Sequence, residues 1–183
     1  MSQIKGTRQR IYEFIESHPG MHFRAICREL GLAVGDLQYH LYALERQGMI
    51  KTVRRGLRNF MYPSGIFSDR EEKVLSVISQ ETPREIILNL IQKPDLSQME
   101  LAERLGLSQP TIVWHMRRLK QMGLIISNKK GTSVTYHVVG DARKIVALVQ
   151  SYRPSVWERW SSRLLDIILT ISKEEGVKED DGS

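Results

Sequence analysis

The chain has 183 residues, with 27 Lys and Arg against 21 Asp and Glu, a net charge of +6, and one cysteine, Cys27. A single cysteine excludes an intrachain disulfide and a multi-cysteine metal site, and it suits a reducing, cytoplasmic location. The N-terminus lacks a secretory apolar stretch, and the run from Leu164 to Ile171 contains Asp166 and is too short to span a bilayer. Stable membrane insertion is therefore not expected.

The positive charge is uneven: residues 1–68 carry a net +5, residues 69–140 +2 and residues 141–183 −1. A basic N-terminal two-thirds favours a polyanionic partner, nucleic acid foremost. The chain also repeats itself at an offset of 75 positions. Pro19 matches Pro94, Leu30-Gly31-Leu32 matches Leu105-Gly106-Leu107, and His40, Leu44, Gly48, Ile50 and Gly56 match His115, Leu119, Gly123, Ile125 and Gly131. That period exceeds the ~20–50 residues of solenoid repeats, so each copy is expected to be a small domain.

In the first copy, a helix through Leu37, Leu41 and Leu44 buries those three residues. Tyr39, Tyr42, Arg46 and Gly35 then point outward, with Gln38 at the margin. Lys51 to Tyr62 follows as a hairpin candidate with Arg54, Arg55 and Arg58 around its turn. Pro63-Ser64-Gly65 closes the copy, and Ser68 or Asp69 caps a linking helix through Val74, Leu75 and Ile78. If rigid, that helix sets the spacing of the two copies. Glu71 and Glu72 read as charge on its surface.

The second copy is the clearer one. Ile86, Ile87, Leu90 and Ile91 form a helix-period stripe that Pro94-Asp95 ends. Ser97 caps the next helix, with Glu100 completing a capping box and Gly106 terminating it. Ser108 caps a third helix, with Pro110 in its first turn and Ile112, Met116 and Leu119 on its inner face. His115 flanks that face. Gln109, Trp114, Arg117 and Gln121 point outward, with Thr111 and Arg118 beside them. Gly123 ends the helix, and Leu124-Ile125-Ile126-Ser127, a turn containing Lys129-Lys130-Gly131, and the alternating Val134, Tyr136 and Val138 read as strand, turn, strand. Beyond it, Asp141 caps a helix through Ala142, Ile145, Val146 and Val149. Pro154 starts another, along which Val156, Trp157, Trp160, Leu164, Ile167, Ile168 and Ile171 keep a helical period.

The order helix, helix, tight turn, helix, hairpin resembles the winged helix-turn-helix fold. The run from Ser108 to Ile125 is similar to the recognition-helix signature of ArsR- and MarR-like regulators, and Leu37 to Ile50 repeats it more loosely. The tandem arrangement resembles that of archaeal two-winged-helix regulators. The implied architecture is mainly α with small β-hairpin wings. It comprises a first winged-helix domain (1–66), a linking helix (67–81), a second winged-helix domain (82–140), C-terminal helices (141–173) and an acidic disordered tail (174–183).

The resemblance implies a sequence-specific regulator of transcription that binds double-stranded DNA through two recognition helices and two basic wings. Arg suits guanine and Gln suits adenine, so Arg117, Arg118, Gln109 and Gln121 are candidate base readers, with Thr111 beside them, while Gln38 and Arg46 are expected at the DNA surface of the first copy. Trp114 suits a thymine-methyl or sugar contact and equally packing on the neighbouring domain; Tyr39, aligned with it, is expected to touch DNA or pack at an interface, and Tyr39 and Tyr42 also suit a protein surface. Lys51, Arg54, Arg55, Arg58, Lys129 and Lys130 suit phosphates or the minor groove. A protein-interaction scaffold within a transcription or chromosome-maintenance assembly is the alternative. Trp157, Trp160, Leu164 and Ile168 are expected first at a homodimer seam, with intrachain packing and membrane-surface attachment as the other readings. No Gly-rich phosphate loop, His-Glu-x-x-His or Gly-x-Ser-x-Gly motif is present, so neither enzyme activity nor a cofactor is expected. The clustered ligands of metal sensors are also lacking. His40, His115 and Cys27 read as packing residues.

Overall fold

The structure, a computed structural model, describes residues 2–156 and 158–160. Two compact units divide between Ser79 and Gln80. The first contains α1 (Ser2–Ser17), β1 (Met21–His22), α2 (Phe23–Leu30), α3 (Val34–Arg46), β2 (Ile50–Arg55), β3 (Arg58–Pro63) and α4 (Asp69–Ile78). The second contains α5 (Glu81–Gln92), α6 (Gln98–Leu105), α7 (Gln109–Gln121), β4 (Ile125–Lys130), β5 (Ser133–Val138) and α8 (Ala142–Tyr152). Residues 154–156 and 158–160 are also helical.

Helical periodicity accounts for the first core. Ile11 and Ile15 of α1, Ile26 and Leu30 of α2, and Leu37, Leu41 and Leu44 of α3 are buried together with Ile50 and Met61 of the hairpin. Burying such side chains supplies ~1.5–3 kcal/mol each, the main force holding a unit this small together. In the second unit α5, α6, α7 and β5 pack on one another. Ile86, Leu90, Leu101, Ile112, Met116, Leu119 and Tyr136 are buried there.

Both hairpins are antiparallel, with Arg55 opposite Arg58 and Lys130 opposite Ser133. The two-residue turns place Gly56 and Gly131 at φ 61 and 64. Glycine at the first turn position suits the twist of such hairpins. The sequence reading lacked β1, which makes a three-stranded sheet in the order β1-β3-β2. Met21 pairs with Met61, and 75 positions on Leu96 bridges Tyr136 in the same way. Two residues are too few to display an alternating pattern, so this strand is visible only through its pairing.

The expected caps form. Ser68 with Glu71 and Ser97 with Glu100 make capping boxes, Ser108 accepts from the Thr111 N–H, and Asp141 accepts from the Arg143 N–H. In the first copy His22 replaces Ser97, its Nδ1 accepting from the Ala25 N–H. Cys27 is half-buried against the core.

Glu72 is a correction. Read from sequence as surface charge, its side chain is 4% exposed and takes Lys51 Nζ at 2.9 Å. The Tyr62 hydroxyl beside it donates to the Glu72 carbonyl at 2.8 Å. Burial pushes the Tyr62 phenol up to about 12. An acid whose folded pKa is raised keeps its proton in the fold after the unfolded chain has lost it. Its stabilisation is therefore complete below pH 10 and is lost toward pH 12. Unfolding free energy should fall by about 1.4 kcal/mol per pH unit across that window. Alkaline unfolding curves for the protein and Tyr62→Phe test this, since only the parent should show the slope from this group.

Candidate nucleic-acid interface

α7 has an apolar inner face and a polar outer one, and its termini are anchored by the Ser108 cap and the turn at Gly123. Ile112, Met116 and Leu119 are buried. Gln109, Pro110, Trp114, Arg117 and Gln121 are exposed, and Thr111 and Arg118 are half-buried beside them. The Thr111 hydroxyl lies 2.8 Å from Ser108 Oγ, within the cap itself. Trp114 is 51% exposed. The Arg118 guanidinium lies over its indole, 4.6 Å from the ring centroid, and the His115 and Trp114 rings meet edge to face with centroids 4.7 Å apart. Stacking of this kind limits where Arg118 can point.

Lys120, not singled out by sequence reading, donates to Ser127 Oγ at 2.8 Å. It ties the end of α7 to the base of the β4–β5 hairpin. Arg117, Lys120 and Gln121 line a groove of about 340 Å³ whose wall includes Met116 and Tyr136. Gln98 crosses toward that wall, donating to the Tyr136 hydroxyl at 2.8 Å. Lys129 is exposed on the hairpin, and Lys130 ends β4.

The first unit repeats the frame with different chemistry. Leu37, His40, Leu41 and Leu44 are buried, while Gln38, Tyr39, Tyr42 and Arg46 are exposed. The Tyr39–His40 edge contact at 5.2 Å repeats the Trp114–His115 pair. Burial, followed by the charge of Arg8, lowers the His40 pKa. Arg46 sits over the Tyr42 ring, 5.8 Å from its centroid.

The expected wing cations separate into two groups. Arg54 and Arg58 are exposed, and Arg54 Nε donates to the Gly56 carbonyl at 3.2 Å, bracing the turn. Arg55 departs from the expectation of a free phosphate contact. Its side chain is only 18% exposed and its Nη2 lies 3.9 Å from Glu72 Oε2. Strand alternation causes this, because Arg54 and Arg55 face opposite sides of the hairpin. Lys51 is held by the same carboxylate.

A neighbouring basic group was missed. His22, Arg24 and Arg58 share a groove of about 500 Å³ with Leu57, at the junction of α2 and the hairpin turn. The His22 pKa is lowered by burial and then by Arg58, Arg28 and Arg24. Arg24 and Arg58 are 34 positions apart, so only the tertiary fold brings them together. Leu57, also missed, is 98% exposed at the hairpin tip; one leucine in a basic hairpin leaves no pattern to read.

Of the four residues expected at the C-terminal seam, Trp160 alone is described. Trp160 is 6% exposed within the single chain, so its indole is already covered. Trp157, Leu164 and Ile168 lie outside the described residues, as does the tail from 174 to 183. No described helix is long and apolar enough to cross a membrane. Among the described residues no group of three or more His, Cys, Asp or Glu could hold a metal ion.

Comparison with known proteins adds to this geometry. Residues 5–75 match a family described as an N-terminal HTH domain, and residues 79–126 match the winged helix-turn-helix DNA-binding family. An HTH-type transcriptional regulator of Methanocaldococcus jannaschii is 28% identical over 135 residues. That alignment covers 74% of this chain and 34% of the relative, so the chain spans about a third of the length of the curated relative it matches. Among solved structures, reduced HlyU from Vibrio cholerae is 27% identical with a TM-score of 0.41, over 46% of this chain and 90% of that one. An ArsR-like transcriptional regulator from Rhodococcus is 28% identical with a TM-score of 0.37, over 55% of this chain and 92% of that one. The chain is a tandem helix-turn-helix protein, an N-terminal HTH domain followed by a winged helix-turn-helix DNA-binding domain, and a homologue of an archaeal HTH-type transcriptional regulator.

Proposed function

We propose that the chain binds double-stranded DNA sequence-specifically and regulates transcription, with α7 reading bases in the major groove and the hairpins contacting flanking backbone. The observation that carries this reading is the outward face of α7. Gln109, Arg117 and Gln121 are exposed there together, over a packed apolar face that holds the helix rigid. Rigid presentation matters because a bidentate Arg–guanine pair tolerates little displacement. The exposed Lys129, Arg54 and Arg58 supply charge for phosphates on either hairpin.

Salt titration of binding to a selected duplex tests it. About six neutralised phosphates give a slope near −5 in log affinity against log salt. Arg117→Ala should cost about 1–3 kcal/mol on the selected sequence and little on random DNA. A flat salt dependence would overturn the reading and favour a protein-binding scaffold, for which the exposed Tyr39, Tyr42 and Leu57 are the supporting observation.

A further inference from the structure

The two outward helix faces differ in the chemistry they offer a base pair. α7 presents Arg117 and Lys120 beside its groove. The matching groove of the first unit, about 630 Å³ between α3 and the hairpin, is lined by Phe23, Val34, Gln38, Tyr39, Tyr42 and Glu45 among others, and no Lys, Arg or His is among its described lining residues. Val34, Tyr39 and Tyr42 are each about 60% exposed, so their apolar surface is available to whatever enters.

We propose that the first unit is the A·T-reading half of this protein, with thymine methyl groups entering the groove formed by Val34, Tyr39 and Tyr42. This rests on the DNA-binding reading above. Guanine offers two acceptors, O6 and N7, to the major groove and is read by Arg or Lys. No such donor lines this groove, the Glu45 carboxylate stands at its wall, and the adjacent Arg46 lies over the Tyr42 ring, 5.8 Å from its centroid, an arrangement that disfavours guanine. Thymine offers a methyl group that apolar and aromatic side chains cover, and Gln38 complements the amine and N7 of adenine.

The hairpin agrees independently. Arg54 and Arg58 flank the protruding Leu57. Arg is drawn to the narrow minor groove of A·T tracts, and an apolar residue there can wedge between base steps. The second unit, with Arg117 on its groove, takes the guanine-containing half.

The experiment is selection from randomised duplexes with the full chain, followed by thymine-to-uracil replacement, which removes only the methyl group. Arg117→Ala identifies the half-site of the second unit as the one whose base preference relaxes. Uracil in the other half-site should weaken binding about fourfold per contacted methyl, the factor corresponding to ~0.8 kcal/mol per buried carbon. Tyr39→Ala with Tyr42→Ala should abolish that uracil sensitivity while leaving the preference of the second half-site intact. Both tyrosines are exposed, and the uracil readout on the parent protein requires no variant.

A discrete footprint with no A·T preference, or with uracil tolerated at every position, overturns the thymine assignment and leaves the DNA-binding reading standing. Salt-independent or absent DNA binding overturns both.

Discussion

Replacing Gly20 with alanine is expected to destabilise the first unit by about 3 kcal/mol, the sum of left-handed backbone strain and forced overpacking. Gly20 has φ 77, and a Cβ built there would lie 2.7 Å from the Leu75 carbonyl carbon, 2.8 Å from its oxygen and 2.9 Å from its Cβ. Backbone atoms of α4 cannot swing aside as a side-chain tip can. The Gly20 N–H also donates to the Met61 carbonyl at 2.9 Å, so the turn cannot retreat without losing a bond to β3.

The repeat separates the two contributions. Asp95, the equivalent of Gly20, has φ 64, and its backbone N–H donates to the Tyr136 carbonyl at 3.0 Å. Aspartate tolerates this conformation, so backbone shape alone does not demand glycine. The close approach of α4 does. Gly48→Ala is the control, because φ there is 67 and no atom lies within 4 Å of the added carbon. It should cost only about 1–2 kcal/mol. Hydrogen exchange of first-unit amides measures both, and equal losses would refute the tight contact with Leu75.

Glu72→Ala is expected to cost about 3 kcal/mol, at the lower end for breaking a buried ion pair. Its carboxylate is almost wholly enclosed against Lys51 and Arg55. Lys51 remains 46% exposed and can recover water once its partner is gone, which keeps the loss moderate. The same change should free two hairpin cations for phosphate. The salt dependence of DNA binding should then steepen by about 1–2 in slope. A less stable protein that grips DNA harder at low salt would be the signature. Glu71→Ala, which breaks the neighbouring capping box, should cost about 1 kcal/mol and leave the slope alone. An unchanged slope in Glu72→Ala would mean that neither cation reaches DNA. This anchor is not part of the repeated scaffold, since Ala147 and Ile126 stand 75 positions after Glu72 and Lys51.

Much of this protein was legible before its structure. The 75-residue repeat, the stripes through Leu37-Leu41-Leu44 and Ile112-Met116-Leu119, the capping boxes and the turn glycines all arise from interactions within a few residues of each other. Local rules of helix period, capping and turn geometry act on neighbours, so a linear sequence displays them directly. The outward placement of Trp114, Arg117, Gln121, Tyr39 and Tyr42 followed from the same periodicity.

Tertiary structure decided the rest, because it depends on which distant segments meet. The pairing of Met21 with Met61 created a strand too short to announce itself. The arrival of α4 beside the hairpin buried Glu72, covered the face on which strand alternation places Arg55 and brought the Leu75 backbone against Gly20 at a bend where the other copy carries Asp95. Folding also joined Arg24 to Arg58 and hollowed a groove beside α3 with no Lys, Arg or His among its described lining residues. Sequence alone determined that two helix-turn-helix units exist and which faces they present; long-range packing determined which charges on those faces are free to meet a partner, since burial and pairing are properties of neighbours in space.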